Sequence, residues 1–142
     1  MRPHAPRLRL PQSFIVVAWE WPTTPDVVNR LYDLCPGNVY VHLGVKTPYE
    51  THLGRGLMHS KVFLASHGNE CLLWIGSHNL TASAMVGVNC EAAIVLQGIG
   101  DEAPFQAARE HLERCRQEAV QYDPLNPPEP PGAEQWTFDH PR

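Results

Sequence analysis

The chain has 142 residues, of which 43% are hydrophobic, and a formal net charge of −4. This length and composition predict one soluble globular domain with a single core, large enough to bury about two-thirds of its unfolded surface. No apolar run reaches the ~18 residues of a membrane span, and the arginine-containing start is not followed by an apolar segment with a cleavage site, so we expect a cytoplasmic protein.

The N-terminal third predicts a strand–helix–strand unit. The run "SFIVVAW" is apolar and rich in β-branched residues, as in a central strand. A helix follows in "TPDVVNRLYDLCPG", with Thr24 as N-cap and Pro25 at its first position. One apolar face is expected to contain Val27, Val28, Leu31 and Leu34. The alternating run "NVYVHLGV" then predicts a second strand, parallel to the first and joined by a right-handed connection.

The remaining elements complete a mixed pattern. Residues 46–57 contain glycine breaks and predict a loop, and residues 58–65 predict a strand that pairs with "CLLWIG" in a hairpin. We expect a short helix in "NLTASAMVG", a strand in "CEAAIVLQ" and an amphipathic helix over about 103–120. The predicted fold class is α/β, a mixed β-sheet sandwiched by helices.

The C-terminal segment differs from the rest of the chain. From Asp123 onward it is proline-rich and carries four acids and one base, so residues 123–142 predict an extended tail or linker that could contact other proteins. Residues 1–122, the predicted folded domain, hold eleven acids and ten bases. This balance argues against strong non-specific nucleic-acid binding but allows a local basic groove.

Cysteines and histidines give no metal signature. The four cysteines form no C-x-x-C pair, and we expect them to be buried free thiols. Eight histidines are scattered, and the group His52, His59, His67 and His78 lacks the ligand spacing of a zinc site. We therefore expect no bound metal and no cofactor.

One predicted strand carries charged side chains where a core strand would be apolar. In "GLMHSKVFLA" the alternation of a strand places His59, Lys61 and Phe63 on one face, and Ser60, Val62 and Leu64 on the other. A lysine is almost never buried without a partner, because removing its charge from water is costly. Lys61 therefore needs an anion, a carboxylate or water beside it.

With the sequence that follows, this stretch resembles the phospholipase D superfamily. The shared features are H-x-K at His59 and Lys61, then G-S-x-N at Gly76, Ser77 and Asn79, then the acidic Glu91 on the next strand. The order of elements agrees with the family from about residue 14 to residue 120, and the specific motifs lie within residues 58–95. Each fragment is weak alone, whereas their order and structural context together are informative.

The resemblance implies a metal-independent phosphodiesterase, and we expect a nuclease that acts on DNA in preference to RNA. His59 would attack phosphorus to give a phosphohistidine, while Lys61 and Asn79 would bind the phosphoryl oxygens. Glu91 would hold the ring nitrogen of His59 that does not attack. Ser77 would bind substrate at the turn into a helix N-terminus, where free N–H groups favour an anion.

Two departures from the family pattern are visible. Ser66 stands where the fuller motif has an aspartate, five residues after Lys61. The family's enzymes also build one site from two motifs, whereas this chain has one and no internal repeat, so we expect a homodimer that shares one site. Two alternatives remain open: a lipid-directed phospholipase or phosphatidyl transferase, and a catalytically silent module for dimerisation or nucleic-acid binding. The lack of a membrane-binding segment weakens the first, and the intact motif weakens the second.

Overall fold

A computed structural model describes residues 13–19, 23–44, 58–79 and 90–129 of the chain. The described residues form a mixed α/β protein with two helices and two three-stranded sheets. The chain divides into a terminal unit, residues 1–58 and 115–142, and a central unit, residues 59–114. The single sheet and single core expected from the sequence are thus replaced by two sheets and two apolar clusters.

The sheet of the terminal unit contains the predicted strand–helix–strand. Strand β1, Ile15–Ala18, pairs in parallel with β2, Val39–His42, and the helix α1, Pro25–Leu34, connects them. Parallel pairing requires such a crossover, so this prediction is confirmed. A two-residue strand, Val120–Gln121, labelled β6, pairs antiparallel with β2. It was not predicted, because those residues continue the helical pattern of the preceding segment.

The start of α1 is as the sequence predicts, but its buried face is narrower. Thr24 is the N-cap, although the bonds there come from its carbonyl, which accepts from the amides of Val27 and Val28, and not from its side chain. Val28 is fully buried and Leu31 packs against the core. Val27 and Leu34 are 45% and 37% exposed, so the expected four-residue stripe is only partly internal.

The core of the terminal unit joins both strands, α1 and the segment after β6. Its buried members are Trp19, Val28, Cys35, Val39, Val41 and Tyr122. The Tyr122 hydroxyl donates to Asn29 Oδ1 over 2.7 Å, and the Trp19 indole donates to the carbonyl of Pro128 over 3.1 Å. The first residues of the predicted tail therefore contact this core.

His42, at the end of β2, is a buried polar residue of this unit, with 2% exposure. Its Nδ1 accepts a hydrogen bond from the amide of Gly44 over 3.1 Å, and its Nε2 lies 3.6 Å from Glu118 Oε2. Because Nδ1 accepts, the neutral ring carries its proton on Nε2, facing the carboxylate.

The central unit contains the predicted hairpin. Strand β3, Val62–His67, pairs antiparallel with β4, Glu70–Gly76, which pairs antiparallel with β5, Ala93–Ile99. The turn between β3 and β4 is the two residues Gly68 and Asn69, and Gly68 has φ of 60°, a left-handed conformation that favours glycine. Residues 58–61, predicted as the start of β3, precede the strand.

The helix α2, Ala103–Gln117, packs on one face of this sheet and ends three residues before the predicted end. Phe105 and Ala108 are buried against Cys71 and Leu73, with Val62 and Leu64 at the margin of the cluster. The apolar stripe predicted for this helix is confirmed at Phe105 and Ala108, whereas Leu112 and Cys115 are half-buried.

Several other predictions can be compared with the structure only in part. The predicted loop 46–57, the helix in 79–87 beyond Asn79, and the tail beyond residue 129 lie outside the described residues. The four cysteines, all within the described residues, form no disulfide: Cys35 and Cys71 are buried as expected, but Cys90 is exposed and Cys115 is half-buried. Neither of the two described helices combines the length and hydrophobicity that a membrane span requires.

Candidate active site

The sequence motifs come together at one end of the central sheet. Strand β3 begins after Lys61, β4 ends before Ser77, and β5 begins two residues after Glu91. The register pairs Val62 with Ile75 and Gly76 with Ala93, so these three points lie at the same level of three adjacent strands. Residues separated by 14 to 30 positions in the sequence thus share one edge.

Ser77 links β4 to the segment that carries Glu91. Its amide donates to the carbonyl of Ala92 over 2.9 Å, and the Ala92 amide donates back to Ser77 Oγ over 3.1 Å. The hydroxyl donates to Glu91 Oε2 in a short hydrogen bond. A serine hydroxyl has one proton and two lone pairs. Here the proton is donated to Glu91, and a lone pair accepts the Ala92 amide. Ser77 therefore holds the carboxylate of Glu91 in place.

Gly76, the first residue of G-S-x-N, is required by close packing. A Cβ at this position would lie 2.7 Å from the carbonyl oxygen of Ala92 and 2.8 Å from Ala93 Cβ. Both distances are shorter than a van der Waals contact, which is about 3.5 Å or more between carbons. The absence of a side chain lets the ends of β4 and β5 approach, and this approach brings Ser77 to Glu91.

Lys61 is half-buried beside these groups. Its carbonyl accepts the amide of Gly76 over 3.2 Å, and its Nζ donates to the carbonyl of His59 over 3.0 Å. Burial lowers the pKa of Lys61, and the negative charge of Glu91 opposes this by raising it. Glu91 is thus a carboxylate near enough to Lys61 to affect its pKa.

His59 and Asn79 lie next to the strand ends. The side chain of His59 is exposed, as an attacking nucleophile requires, and Asn79, two residues after Ser77, is half-buried. The predicted contact of Glu91 with the His59 ring stays a prediction, and the structure gives Glu91 a hydrogen bond from Ser77. The predicted role of Ser77 in binding substrate also stays a prediction, because the structure engages its hydroxyl and its amide internally.

An aromatic group adjoins Lys61 on the sheet face opposite α2. The rings of Phe63 and Trp74, a cross-strand pair, have centroids 4.8 Å apart, and the Trp74 and His78 rings are 5.1 Å apart. Phe63 is 40% exposed. The sequence placed Phe63 on the face of Lys61, but its partners depend on the register of β3 and β4, which no short motif specifies.

Sequence reasoning also missed a contact made by His111. Its Nε2 lies 2.9 Å from the hydroxyl of Ser60, the middle residue of H-x-K. The two residues are 51 positions apart. His111 is half-buried, and the helical pattern of the sequence carries no signal for this partner.

Comparisons of the chain with protein-family models, with curated proteins and with solved structures give no match. No group of three or more histidine, cysteine, aspartate or glutamate side chains arranged to hold a metal ion occurs in residues 13–19, 23–44, 58–79 and 90–129. Support for a function therefore comes from the residues and geometry of the candidate site.

Proposed function

We propose that this protein is a metal-independent phosphodiesterase, a nuclease of phospholipase D type that cleaves DNA in preference to RNA. The observation that carries the proposal is the convergence of H-x-K, Ser77 and Glu91 at one end of three adjacent strands. The antiparallel pairing of β3, β4 and β5 brings these three points together whatever their residues are, so the support lies in the residue types that occupy them. A histidine, a lysine, a serine and a glutamate at one sheet edge are groups that can neutralise and attack a phosphodiester.

The chemistry assigns one task to each group. A ring nitrogen of His59 attacks phosphorus as the bond to the leaving oxygen breaks, and that oxygen takes a proton from a second imidazole. Water then hydrolyses the phosphohistidine. Lys61 and Asn79 bind the phosphoryl oxygens, which repel a nucleophile unless cations and donors surround them. The negative charge of Glu91 favours the protonated form of Lys61 against the effect of burial, and Glu91 would orient the ring of His59.

The second imidazole is the reason to propose a homodimer. In an in-line displacement, attack and leaving-group protonation occur on opposite sides of phosphorus, so one histidine cannot do both in one step. His59 of a second copy supplies the missing group if the two sites face each other. On the sheet face opposite α2, four apolar side chains with exposures of 40% to 58% offer a surface for such contact: Phe63, Leu72, Val95 and Ile99.

The activity test uses purified protein with single- and double-stranded DNA, RNA and phosphatidylcholine vesicles, each with EDTA present. We expect cleavage of DNA, because no metal takes part in the proposed steps. Loss of all cleavage on chelation, restored by Mg²⁺, would refute the mechanism. Hydrolysis of the phospholipid alone would identify a lipid-directed enzyme, and no turnover of any substrate would identify the silent module.

The role of His59 is tested with a matched histidine control. His59→Asn and His59→Ala should abolish turnover and the acid-labile phosphoprotein that quenched reactions accumulate. His67→Asn changes the same residue type, exposed at the other end of β3, and should leave both unchanged. Wild-type rates from either His59 variant would remove this residue from the role of nucleophile.

The shared site is tested by subunit exchange. When equal amounts of wild type and His59→Ala are mixed and allowed to exchange, random pairing leaves about a quarter of the dimers fully wild type. Since each site needs both histidines, total activity should fall to about half of that of the same wild-type protein unmixed. Unchanged activity, or full activity in a monomer, would place the second group elsewhere.

A further inference from the structure

We infer that His111 is a positioning residue, which holds the H-x-K segment in place through Ser60. The inference rests on the proposed function, because it concerns how His59 is held for attack. The observation that supports it is the hydrogen bond of 2.9 Å between His111 Nε2 and Ser60 Oγ. His111 would not touch the substrate, and it acts on His59 only through the intervening backbone.

The H-x-K segment needs such a support because it lies outside the strand ladder. Strand β3 begins at Val62, and residues 58–61 are not part of it. Lys61 is tied to the sheet by the Gly76 amide, and its ammonium binds the carbonyl of His59, which links two residues of the same segment. The Ser60–His111 bond connects this segment to the helix α2.

The helix α2 is suited to hold a neighbouring segment rigidly. Phe105 and Ala108 fix it to the sheet by packing on Cys71 and Leu73. His111 comes three residues after Ala108, about 4.5 Å further along the axis and on the same side of the helix. His111 therefore continues the side of the helix that packs on the sheet, up to the point where the chain enters β3.

The direction of Ser60 separates this contact from the substrate. Val62 and Leu64 pack with Phe105 on the face covered by α2. Since side chains alternate along an extended segment, Ser60 lies on the side of Val62, whereas Lys61 and Phe63 lie on the opposite side. His111 can thus fix the backbone between His59 and Lys61 without occupying the space where phosphate would bind.

The tests use replacements that remove or keep the hydrogen bond. His111→Ala and Ser60→Ala should each lower kcat about 10-fold, within the up to ~100-fold loss that a misplacement of about 1 Å can cause, with KM changed less than about twofold. His111→Gln, whose amide can still bind the Ser60 hydroxyl, should recover most of kcat. The matched control is Glu110→Ala, an exposed neighbour on the same helix, which should behave as wild type.

A double-mutant cycle separates positioning from other roles. If the two side chains act only through their bond, Ser60→Ala with His111→Ala should be no slower than the slower single variant. Additive losses would overturn the inference. A loss for Ser60→Ala at least 100-fold greater than that for His111→Ala would also overturn it, because Ser60 would then have a chemical role of its own.

A second measurement does not depend on activity. Backbone ¹⁵N relaxation in wild type should give order parameters near ~0.85 for residues 59–61, falling towards ~0.6 in His111→Ala but not in Glu110→Ala. If wild type cleaves nothing but this loss of order occurs, the proposed function fails and the positioning contact stands. If wild type cleaves DNA and neither kcat nor the order parameters change in His111→Ala, the positioning inference fails while the function stands.

Discussion

The close approach of β4 and β5 at Gly76 makes a methyl group at this position a sensitive probe of the site. In Gly76→Ala the new Cβ would lie 2.7 Å from the Ala92 carbonyl and 2.8 Å from Ala93 Cβ. Relief of both contacts to about 3.5 Å requires the strand ends to separate by roughly 0.8 Å. Overpacking of this kind costs about 1–3 kcal/mol of unfolding free energy.

The same separation should affect the proposed activity more than stability. Ser77 follows Gly76 directly and holds Glu91, so a shift of the end of β4 displaces both relative to Lys61. A displacement approaching 1 Å can lower a rate by up to ~100-fold. We therefore expect a melting temperature lowered by roughly 2–8 °C for each kcal/mol lost, together with a fall in kcat of about 10- to 100-fold.

The assay combines thermal unfolding with cleavage kinetics and uses Ala93→Gly as the compensating change. Ala93→Gly removes one of the two groups that the new methyl meets, but the Ala92 carbonyl remains. The double variant should therefore lose less stability than the sum of the two single variants, with partial recovery of kcat. A Gly76→Ala protein with wild-type melting temperature and kcat would refute the argument that the glycine is needed for close packing.

Two further predictions concern the half-buried Lys61 and the buried His42. Because burial lowers the folded-state pKa of Lys61 below its ordinary value of 10.5, the unfolded chain binds that proton more tightly, and the free energy of unfolding should rise as pH increases towards 10.5. Urea unfolding of Lys61→Met should lack this component, and identical pH profiles would contradict it. In the terminal unit, His42→Ala should lose about 2–4 kcal/mol, since it leaves a cavity and removes the acceptor of the Gly44 amide. His42→Asn, which offers an oxygen near the position of Nδ1, should lose less, and equal losses would show that the Gly44 bond contributes nothing measurable.

The elements that could be predicted from the sequence are those with strong local signals. The Thr24–Pro25 start of α1 and the β-branched runs on either side fix a parallel pair, because a helix between two strands allows little else. The strand of residues 120–121 could not be predicted, since two residues carry no period and its pairing with β2 is a long-range contact. The division into two sheets likewise depends on contacts between residues far apart in the sequence, which no local pattern predicts.

The features of the candidate site also fall into those that the sequence predicts and those that it does not. The residue types and their order were visible in the sequence, because phosphoryl chemistry requires a nucleophile, a cation and an acid in a small set of patterns. The bond of Ser77 to Glu91 and the bond of Ser60 to His111 were not, since each depends on where one side chain ends in space. The pairing of Glu91 with His59 stays a prediction, and the structure adds the hydrogen bond from Ser77, a residue that the sequence predicts only to bind substrate.

The position of Lys61 relative to Gly76 is set at the opposite end of the hairpin. Gly68 allows a two-residue turn, and this turn pairs His67 with Glu70. Each following pair is then determined, up to Val62 with Ile75, and the next step brings the carbonyl of Lys61 to the amide of Gly76. A slip of one residue would move every side chain of β3 to the other face and turn Lys61 towards α2. The turn residue therefore belongs to the construction of the candidate site, although it contacts none of its groups.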